Sequence, residues 1–305
     1  MKIYKSIEEL IGGTPIVQLT KIEKEQDLKS SLFAKIELFN PAGSAKDRIA
    51  KSIIDAAEAQ GKLKAGGTII EATSGNTGIG LAMVGVCRGY KVIIVMPDTM
   101  SQERIQIMEA YGAKVVLSDG KEGMKGANEL AQKIALETPN SFVAAQFENA
   151  SNPQAHYLTT GPEIYENMGG RVDIFVCAVG TGGTLSGGGK YLKEQNPQIK
   201  IVAVEPKNSP LLSKGVSGAH KIQGIGANFV PSTLDTTVYD EIITVSDEDA
   251  YKYTRYLSRT EGILAGTSSG CALCAAIELA KREENKNIVV LFPDTGMRYL
   301  SNNIW

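Results

Sequence analysis

The chain has 305 residues, of which 43% are hydrophobic and 22% charged, and its formal net charge is −2. These values are typical of a globular protein that is large enough for two lobes or one large domain. The near-neutral charge provides no basic surplus for binding nucleic acid or an anionic membrane. No apolar run is as long as a membrane span, and the polar N-terminal stretch lacks the apolar core of a signal peptide. We therefore expect a cytoplasmic protein with no nucleic-acid or membrane partner.

Strand and helix patterns alternate along the chain, which favours an α/β fold with mostly parallel sheets and helices on both faces. The predicted strands cover residues 14–19, 32–38, 68–72, 91–96, 113–117, 142–145, 172–179, 200–205, 242–245 and 287–292. The predicted helices include residues 101–111, 123–137, 153–166 and 248–260, and others open after the loops that end near residues 46, 78, 184 and 270. Ser101 and Ser246 are predicted to cap their helices.

Two further stretches bear on organisation. The glycine-rich segment 206–231 is predicted to be irregular, and loops of that length are usually functional or mobile. We expect a boundary between two lobes near residues 149–153, with the N-terminal strands joining the second lobe.

The four cysteines and two histidines do not predict a redox or metal site. Cys271 and Cys274 have redox spacing, but they lie inside an apolar helical pattern rather than at an exposed helix start. We interpret them as packing residues. His156 and His220 are far apart and have no cysteine or carboxylate at ligand spacing, so we predict no metal.

Lys46 lies where a loop of small residues, 40–45, gives way to an amphipathic helical pattern. Pro41 disfavours helix at Asn40. A lysine at the N-terminal end of a helix meets the positive end of the helix dipole, which favours a neutral amine suited to Schiff-base formation. The alternative is an ordinary solvated lysine in a turn.

Residues 180–184 read GTGGT and connect a buried strand to a helix. Backbone N–H groups and hydroxyls in that position bind anions. The glycine spacing fits neither a dinucleotide fingerprint nor a nucleotide P-loop, which argues against a dinucleotide oxidoreductase. We therefore predict a cradle for a phosphate monoester; the alternative is that these glycines only allow close helix packing.

Two more loops follow predicted strands. Residues 73–78 read TSGNTG, in which Ser74, Thr77 and the helix-end amides suit a carboxylate, and Asn76 offers an amide donor to a ring or ligand oxygen. Ser268 offers a neutral hydroxyl at a helix start. Each feature alone is also explained by ordinary helix capping.

A reactive lysine, a monophosphate cradle, a carboxylate loop and a neutral hydroxyl together predict pyridoxal phosphate (PLP) as the cofactor. Ligands of open α/β sheets bind at the carboxyl ends of the strands, so we expect these loops to converge on one crevice.

These loops resemble, in order, the signature loops of the cysteine synthase (O-acetylserine sulfhydrylase) family. The family belongs to the cysteine synthase and cystathionine β-synthase branch of the fold-type II PLP enzymes. The resemblance extends from GGTP at 12–15 to PDTG at 293–296. The segments that carry it are NPAGSAKDR (40–48), TSGNTG (73–78), QFEN (146–149), GTGGT (180–184), QGIGA (223–227) and SSG (268–270).

The resemblance implies two α/β lobes, each with a mostly parallel twisted sheet flanked by helices, as in tryptophan synthase β, and with PLP in the crevice between them. The smaller, mobile lobe that binds the substrate carboxylate would cover residues 38–149. Residues 1–37 and 150–305 would form the larger lobe that binds the PLP phosphate.

The resemblance also implies residue roles. Lys46 would be the catalytic Schiff-base lysine, Asn76 would hold the ring oxygen, and Ser268 would face the pyridine nitrogen. The phosphate would be held by Gly180, Thr181, Gly182, Gly183 and Thr184. The substrate would be bound by Thr73, Ser74, Gly75, Thr77, Gln146, Gly224 and Asn228.

The implied reaction is a β-replacement in which sulfide replaces the acetoxy group of O-acetyl-L-serine, giving L-cysteine and acetate. Lys46 would remove and later return the α-proton. A serine opposite the pyridine nitrogen cannot stabilise the protonated ring as a carboxylate would. Negative charge at the substrate α-carbon is then less stabilised, which favours prompt loss of the β-substituent. Closure of residues 73–78 would exclude water. The resemblance further implies a homodimer that binds the C-terminal tail of serine acetyltransferase.

Some positions depart from the usual family residues. Asn228 replaces a glycine, and in the cystathionine β-synthase branch an aspartate tends to occupy this place. Thr267 replaces isoleucine, Met297 replaces glutamate and Ala150 replaces proline. These departures leave the sulfur nucleophile and the leaving group open. The alternative is a cysteine desulfhydrase, or a lanthionine- or cystathionine-forming β-replacement enzyme of the same fold.

Overall fold

The structure is a computed structural model, and it describes residues 3–302 and 304–305. Its strands are β1 (Ile16–Gln18), β2 (Ser31–Ile36), β3 (Thr68–Ala72), β4 (Lys91–Pro97), β5 (Lys114–Ser118), β6 (Ser141–Val143), β7 (Ile174–Ala178), β8 (Lys200–Pro206), β9 (Glu241–Val245) and β10 (Asn287–Phe292). Its α-helices are α1 (Thr20–Glu25), α2 (Lys46–Ala59), α3 (Asn76–Cys87), α4 (Gln102–Ala110), α5 (Gly123–Glu137), α6 (Ser151–Ala155), α7 (Gly161–Asn167), α8 (Gly183–Gln195), α9 (Leu211–Lys214), α10 (Asp247–Thr260) and α11 (Thr267–Arg282). None of the described helices has the length and apolar character needed to cross a membrane.

The chain forms two compact units. The first, which we call the lysine unit, comprises residues 3–11 and 40–152, and the second, the glycine-loop unit, comprises residues 12–39 and 153–305. The division predicted from the sequence, which gave residues 1–37 and 150–305 to one lobe, stays a prediction.

The lysine unit contains a four-stranded sheet in the order β5-β4-β3-β6, in which every neighbouring pair is parallel. Side chains of β3 alternate between two buried layers because successive residues of a strand point to opposite faces. Ile69 packs in the layer that holds residues of α2 and α3, and Ile70 packs in the layer that holds residues of α5. This burial on both faces explains the apolar residues Ile69 and Ile70 of β3 and the apolar run 92–96 of β4.

The glycine-loop unit contains a six-stranded sheet in the order β1-β2-β10-β7-β8-β9. Only the β1–β2 pair among these is antiparallel. Val176 of β7 packs with residues of α10 and α11, whereas Phe175 packs in a second layer with residues of α8. The predicted α/β class with mostly parallel sheets and helices on both faces is confirmed.

Two local predictions were wrong, and a short helix for which there was no prediction, α1, lies between the first two strands. Ser101 precedes α4 as predicted, but its side chain makes no capping hydrogen bond. The region predicted as one helix over 153–166 is divided by a π-helix, His156–Thr160, and such segments often lie at functional sites. Ser246 does cap α10, because its Oγ accepts the N–H of Asp249 at 3.0 Å.

Candidate active site

Lys46 is the first residue of α2, as predicted. The loop before it is held by the buried Asp47, whose Oδ2 accepts the N–H of Ala42 at 2.6 Å. The Lys46 N–H donates to the Ser44 hydroxyl at 3.2 Å. Side-chain acceptors thus satisfy backbone donors around the helix start, which fixes where the lysine leaves the backbone.

The TSGNTG loop runs from the end of β3 into α3. The Thr73 hydroxyl accepts the N–H of Gly75 at 3.2 Å, which closes a tight turn. Gly75 is the N-cap of α3, and Asn76 is its first residue. Ser74, Gly75 and Asn76 are partly exposed, whereas Thr73 and Thr77 are buried. The helix start therefore presents N–H groups and hydroxyls beside each other, an arrangement that suits an anion.

The buried Arg104 of α4 holds this loop through a hydrogen bond to its backbone. Its Nη1 donates to the carbonyl oxygen of Ser74 at 3.0 Å. No motif in the sequence pointed to Arg104. The guanidinium of Arg104 also adds positive potential at residues 73–78, the loop predicted to bind a carboxylate, and this potential favours an anionic ligand.

Gln146 lies 69 residues from Thr77 in the chain, and the fold pairs them: the Thr77 Oγ1 donates to Gln146 Oε1 at 2.5 Å. Both side chains are buried. The Gln146 backbone is held as well, because its carbonyl accepts from Asn152 Nδ2 at 2.8 Å. Two residues predicted to bind the same substrate group therefore lie side by side.

Glu71 is a buried acid that belongs to none of the predicted site loops. It lies on β3 and accepts the N–H of Gln146 at 3.2 Å and that of Ala145 at 2.7 Å. Burial raises the pKa of Glu71 to about 7, although the hydrogen bonds from Gln146 and Ala145 lower it. A charged residue within an otherwise apolar strand was the signal available in the sequence.

In the glycine-loop unit, the predicted phosphate cradle opens α8. Gly182 is the N-cap of that helix, with φ of +81°, a left-handed conformation that favours glycine. Gly180 has no space for a side chain, because a Cβ atom there would overlap the carbonyl oxygen of Gly224. Gly180 and Gly224 are thus neighbours, and the absence of a side chain at Gly180 allows this close backbone approach.

Side chains around the cradle fix its two threonines. The carbonyl of Thr181 accepts from the Thr233 hydroxyl at 2.6 Å. The Thr184 hydroxyl lies 3.1 Å from Nε2 of the buried His156. His156, which the sequence analysis considered only as a metal ligand, begins the π-helix and lies 2.8 Å from the Thr160 hydroxyl through Nδ1. We infer that His156 stabilises the cradle through its contact with Thr184.

The first turn of α11 carries three buried hydroxyls. Ser268 is the second residue of the helix, and Gly266 is the N-cap. The hydroxyls of Thr267 and Ser269 have no hydrogen-bond partner among the described residues. The N–H of Gly266 donates to the carbonyl of Asp294 at 3.0 Å, which holds the helix start against the PDTG segment.

The cysteines differ in their burial. Cys271 is fully buried and Cys274 is partly buried in α11, and burial raises the pKa of Cys274 to about 12. Neither thiol is therefore set up for redox chemistry. Cys87, by contrast, is exposed rather than apolar-packed. No acidic, cysteine and histidine cluster of metal-binding type occurs in residues 3–302 and 304–305.

Asn228 is exposed and lies in the loop that follows Gly224. That loop is tied to the cradle strand, because the N–H of Gly226 donates to the carbonyl of Val179 at 3.0 Å. The Asn228 side chain is therefore carried on a loop whose base is fixed next to Gly180.

These donor groups fit the parts of PLP. A primary amine at a helix start suits an aldehyde, and the backbone cradle at Gly180 suits a phosphate monoester. The buried hydroxyls of Thr267 and Ser269 leave polar capacity unfilled at the start of α11, next to Ser268. The residues present therefore fit this cofactor.

Comparisons with known proteins agree. Residues 7–294 match the family of pyridoxal-phosphate dependent enzymes. The chain belongs to that family, and it is a PLP-dependent enzyme of the fold-type II class.

The individual proteins that the chain resembles include cysteine synthases. The chain is 51% identical to the probable cysteine synthase of Bacillus subtilis (strain 168), with 100% of this chain and 99% of that protein covered. It superposes on the cysteine synthase structure from Entamoeba histolytica with a TM-score of 0.96 and 45% identity, covering 100% of this chain and 91% of that one. It also resembles a hydrogen sulfide-producing enzyme from Fusobacterium nucleatum, with a TM-score of 0.95 and 46% identity, covering 98% and 99%.

Proposed function

We propose that the protein is a transferase of cysteine biosynthesis that replaces the acetoxy group of O-acetyl-L-serine with sulfide, giving L-cysteine and acetate. The observation that carries the proposal is the 51% identity to a probable cysteine synthase across the whole chain. That alignment spans every loop named above. When bound, PLP acts as an electron sink for the substrate α-carbon, which allows a β-substituent to leave.

Lys46 is the residue we propose for covalent attachment of the cofactor and for moving the α-proton. Its place at the start of α2 supports this, because the helix dipole favours the neutral amine that a base must have. Asp47 and Ser44 hold the backbone around Lys46 in place, so that only the Lys46 side chain needs to move.

The start of α3 is the site we propose for the substrate carboxylate. Thr73, Ser74, Gly75 and Thr77 supply N–H groups and hydroxyls there, and Gln146 adds an amide that is already paired with Thr77. Asn76 is assigned to the cofactor ring oxygen. Closure of this loop on the carboxylate would keep water from the reacting carbon.

Gly180, Thr181, Gly182, Gly183 and Thr184 are proposed to hold the cofactor phosphate by backbone N–H groups at the start of α8. Ser268 is proposed to face the pyridine nitrogen. A hydroxyl cannot hold that nitrogen protonated as a carboxylate would. Negative charge at the α-carbon is then less stabilised, which favours immediate loss of the β-substituent over other reactions.

A second candidate is an enzyme that consumes cysteine: a desulfhydrase, or a lanthionine- or cystathionine-forming enzyme. Two observations support this candidate: the similarity to the Fusobacterium hydrogen sulfide-producing enzyme, and the exposed amide of Asn228 in the loop that follows Gly224. An amide at this position changes what can hydrogen-bond to an incoming nucleophile or to the leaving group. Thr267 and Met297 are further departures from the usual family residues.

One comparison distinguishes the two candidates. The purified holoenzyme is mixed with O-acetyl-L-serine or with L-cysteine, and the visible absorbance of the bound cofactor and the released products are followed. We expect O-acetyl-L-serine to change the absorbance and release acetate, and sulfide to restore the spectrum while L-cysteine forms. Release of sulfide from L-cysteine, with no reaction of O-acetyl-L-serine, would establish the second candidate instead.

We further propose a cytoplasmic homodimer that binds the C-terminal tail of serine acetyltransferase. Support comes from the family resemblance and from the carboxylate loop at the start of α3, which would accept a C-terminal carboxylate as it accepts a substrate. Size-exclusion chromatography with light scattering tests the dimer. Competition between O-acetyl-L-serine and a synthetic acidic C-terminal peptide tests the tail.

A further inference from the structure

Glu71 is a buried acid to which the proposed function assigns no role. It lies on β3, two residues before Thr73, and is 3% exposed. Among the described residues, Glu71 forms no ion pair with a lysine or arginine. A carboxylate buried without a cation is unfavourable unless hydrogen-bond donors surround it. The identity of its donors therefore indicates what it is for.

Both backbone donors come from the turn that carries Gln146. Oε2 of Glu71 accepts the N–H of Ala145 at 2.7 Å, and Oε1 accepts the N–H of Gln146 at 3.2 Å. These consecutive N–H groups converge because Ala145 has φ of +50°, a left-handed conformation that non-glycine residues adopt rarely. The carboxylate thus stabilises a backbone conformation that alanine disfavours.

The same carboxylate also favours one orientation of the Gln146 amide. The Gln146 side chain lowers the pKa of Glu71, and with the amide oxygen on Thr77 the nitrogen is the end of the amide that can interact favourably with the carboxylate. The amide oxygen accepts from the Thr77 hydroxyl at 2.5 Å. An ionised carboxylate only accepts hydrogen bonds, so the opposite orientation of the amide would set two acceptors against each other.

A primary amide has two N–H donors. With its oxygen on Thr77, the Gln146 amide has two N–H groups for acceptors, and we assign one to the Glu71 carboxylate and the other to an anionic ligand. The opposite orientation would present oxygen to that ligand and repel it.

We propose that Glu71 is a positioning residue for recognition of the substrate carboxylate. It fixes the turn at Ala145 and the orientation of the Gln146 amide, so that Gln146 presents an N–H donor to the carboxylate. This inference rests on the proposed function, in which Gln146 binds that group.

The test compares Glu71→Gln with a matched control, Glu148→Gln. Glu148 is exposed and raises the pKa of Glu71 only through its charge, so the control removes a nearby negative charge and no hydrogen bond. The ligands are L-alanine and ethylamine, which differ only by the carboxylate. Their dissociation constants for the holoenzyme are measured at pH 8 by calorimetry and by the absorbance of the bound cofactor.

We expect Glu71→Gln to weaken L-alanine binding by about tenfold or more, the range for a lost hydrogen bond to a charged group. Ethylamine binding should be unchanged, and Glu148→Gln should bind both ligands as the wild type does. In steady state, KM for O-acetyl-L-serine should rise more than kcat falls. Equal weakening of both ligands, or unchanged L-alanine binding, would overturn the proposal.

A double-mutant cycle with Gln146→Leu makes the test specific. If Glu71 acts through the Gln146 amide, Glu71→Gln should weaken L-alanine binding little once that amide is absent. Additive losses would show that Glu71 acts by another route. If Glu71→Gln folds poorly, Glu71→Asp is the alternative variant, because it keeps the charge on a shorter side chain. It should lose less affinity for L-alanine and none for ethylamine. A loss of affinity for both ligands would overturn the proposal.

These readouts remain distinguishable from a failure of the proposed function. Binding of L-alanine requires neither acetate release nor sulfide addition. A holoenzyme that binds L-alanine in a Glu71-dependent way but does not turn over O-acetyl-L-serine would therefore contradict the reaction and support the positioning role.

Discussion

Gly180 and Gly224 lie so close that a Cβ atom on Gly180 would overlap the carbonyl oxygen of Gly224. The two glycines are distant in the chain, and both belong to segments that resemble family signatures. The requirement for glycine at position 180 therefore comes from the neighbouring loop rather than from the local conformation.

Gly180→Ala should destabilise the protein by about 1–3 kcal/mol, since one of the two loops must move. It should also lower the cofactor content of the purified protein, because that movement disturbs the N–H groups at the start of α8. Thermal unfolding and absorbance after dialysis measure the two effects. Gly188→Ala is the matched control in α8, because its Cβ would lie 3.6 Å from the Phe175 ring, an ordinary contact. A Gly180→Ala protein with wild-type stability and cofactor content would contradict the interpretation.

Lys46→Ala should abolish the visible absorbance of the covalently attached cofactor and reduce turnover by orders of magnitude. The reason is that the Lys46 amine is proposed both to attach the cofactor and to move the α-proton. Absorbance spectra before and after borohydride treatment, followed by peptide mapping, locate the attachment. Lys51, a partly exposed lysine five residues later in α2, provides the control as Lys51→Ala. A borohydride-fixed adduct on any other lysine would refute the assignment of Lys46.

Glu71 should make the stability of the lysine unit depend on pH. Its folded-state pKa of about 7 lies above the ordinary value of 4.5, chiefly because of burial. The folded protein therefore binds this proton more tightly than the unfolded chain. The stabilisation is fully present below pH 4.5 and is lost as pH rises through 7, a total of about 3 kcal/mol.

Urea midpoints of the wild type and of Glu71→Gln at pH 5 and pH 8 measure this effect. The wild type should lose more stability than Glu71→Gln as the pH is raised, whatever constant difference separates the two proteins. Glu148→Gln should retain the wild-type dependence on pH. Parallel pH curves for the wild type and Glu71→Gln would show that Glu71 ionises normally in the folded protein.

The cysteines should differ strongly in reactivity. Cys87 is exposed, whereas Cys274 is partly buried and its pKa is raised to about 12, first by burial and then by the carboxylates of Asp249 and Glu278. Because only the thiolate reacts, an alkylating reagent at pH 8 should label Cys87 at least about 100 times faster than Cys274. Peptide mapping of labelled protein over time gives both rates. Rapid labelling that persists in Cys87→Ser would disprove this order.

Much of the local structure could be predicted from the sequence because its causes are local. Apolar runs of β3, β7 and β10 predicted buried parallel strands, and α5 was predicted with its observed bounds, Gly123–Glu137. The weaker predictions concerned segments whose conformation depends on what packs against them. The π-helix at His156–Thr160 is one such segment, since its histidine points to Thr184 of another helix.

The sequence by itself determined the α/β class, the cofactor and the residue types of each loop, because glycine spacing, hydroxyls and helix starts are properties of short stretches. Only the tertiary structure decided which residues support them. Glu71 reaches Gln146 across 75 residues, and Thr77 pairs with Gln146 across 69. Such pairs form when parallel strands place the ends of distant segments at one edge of a sheet, and no local pattern specifies which side chain will meet which.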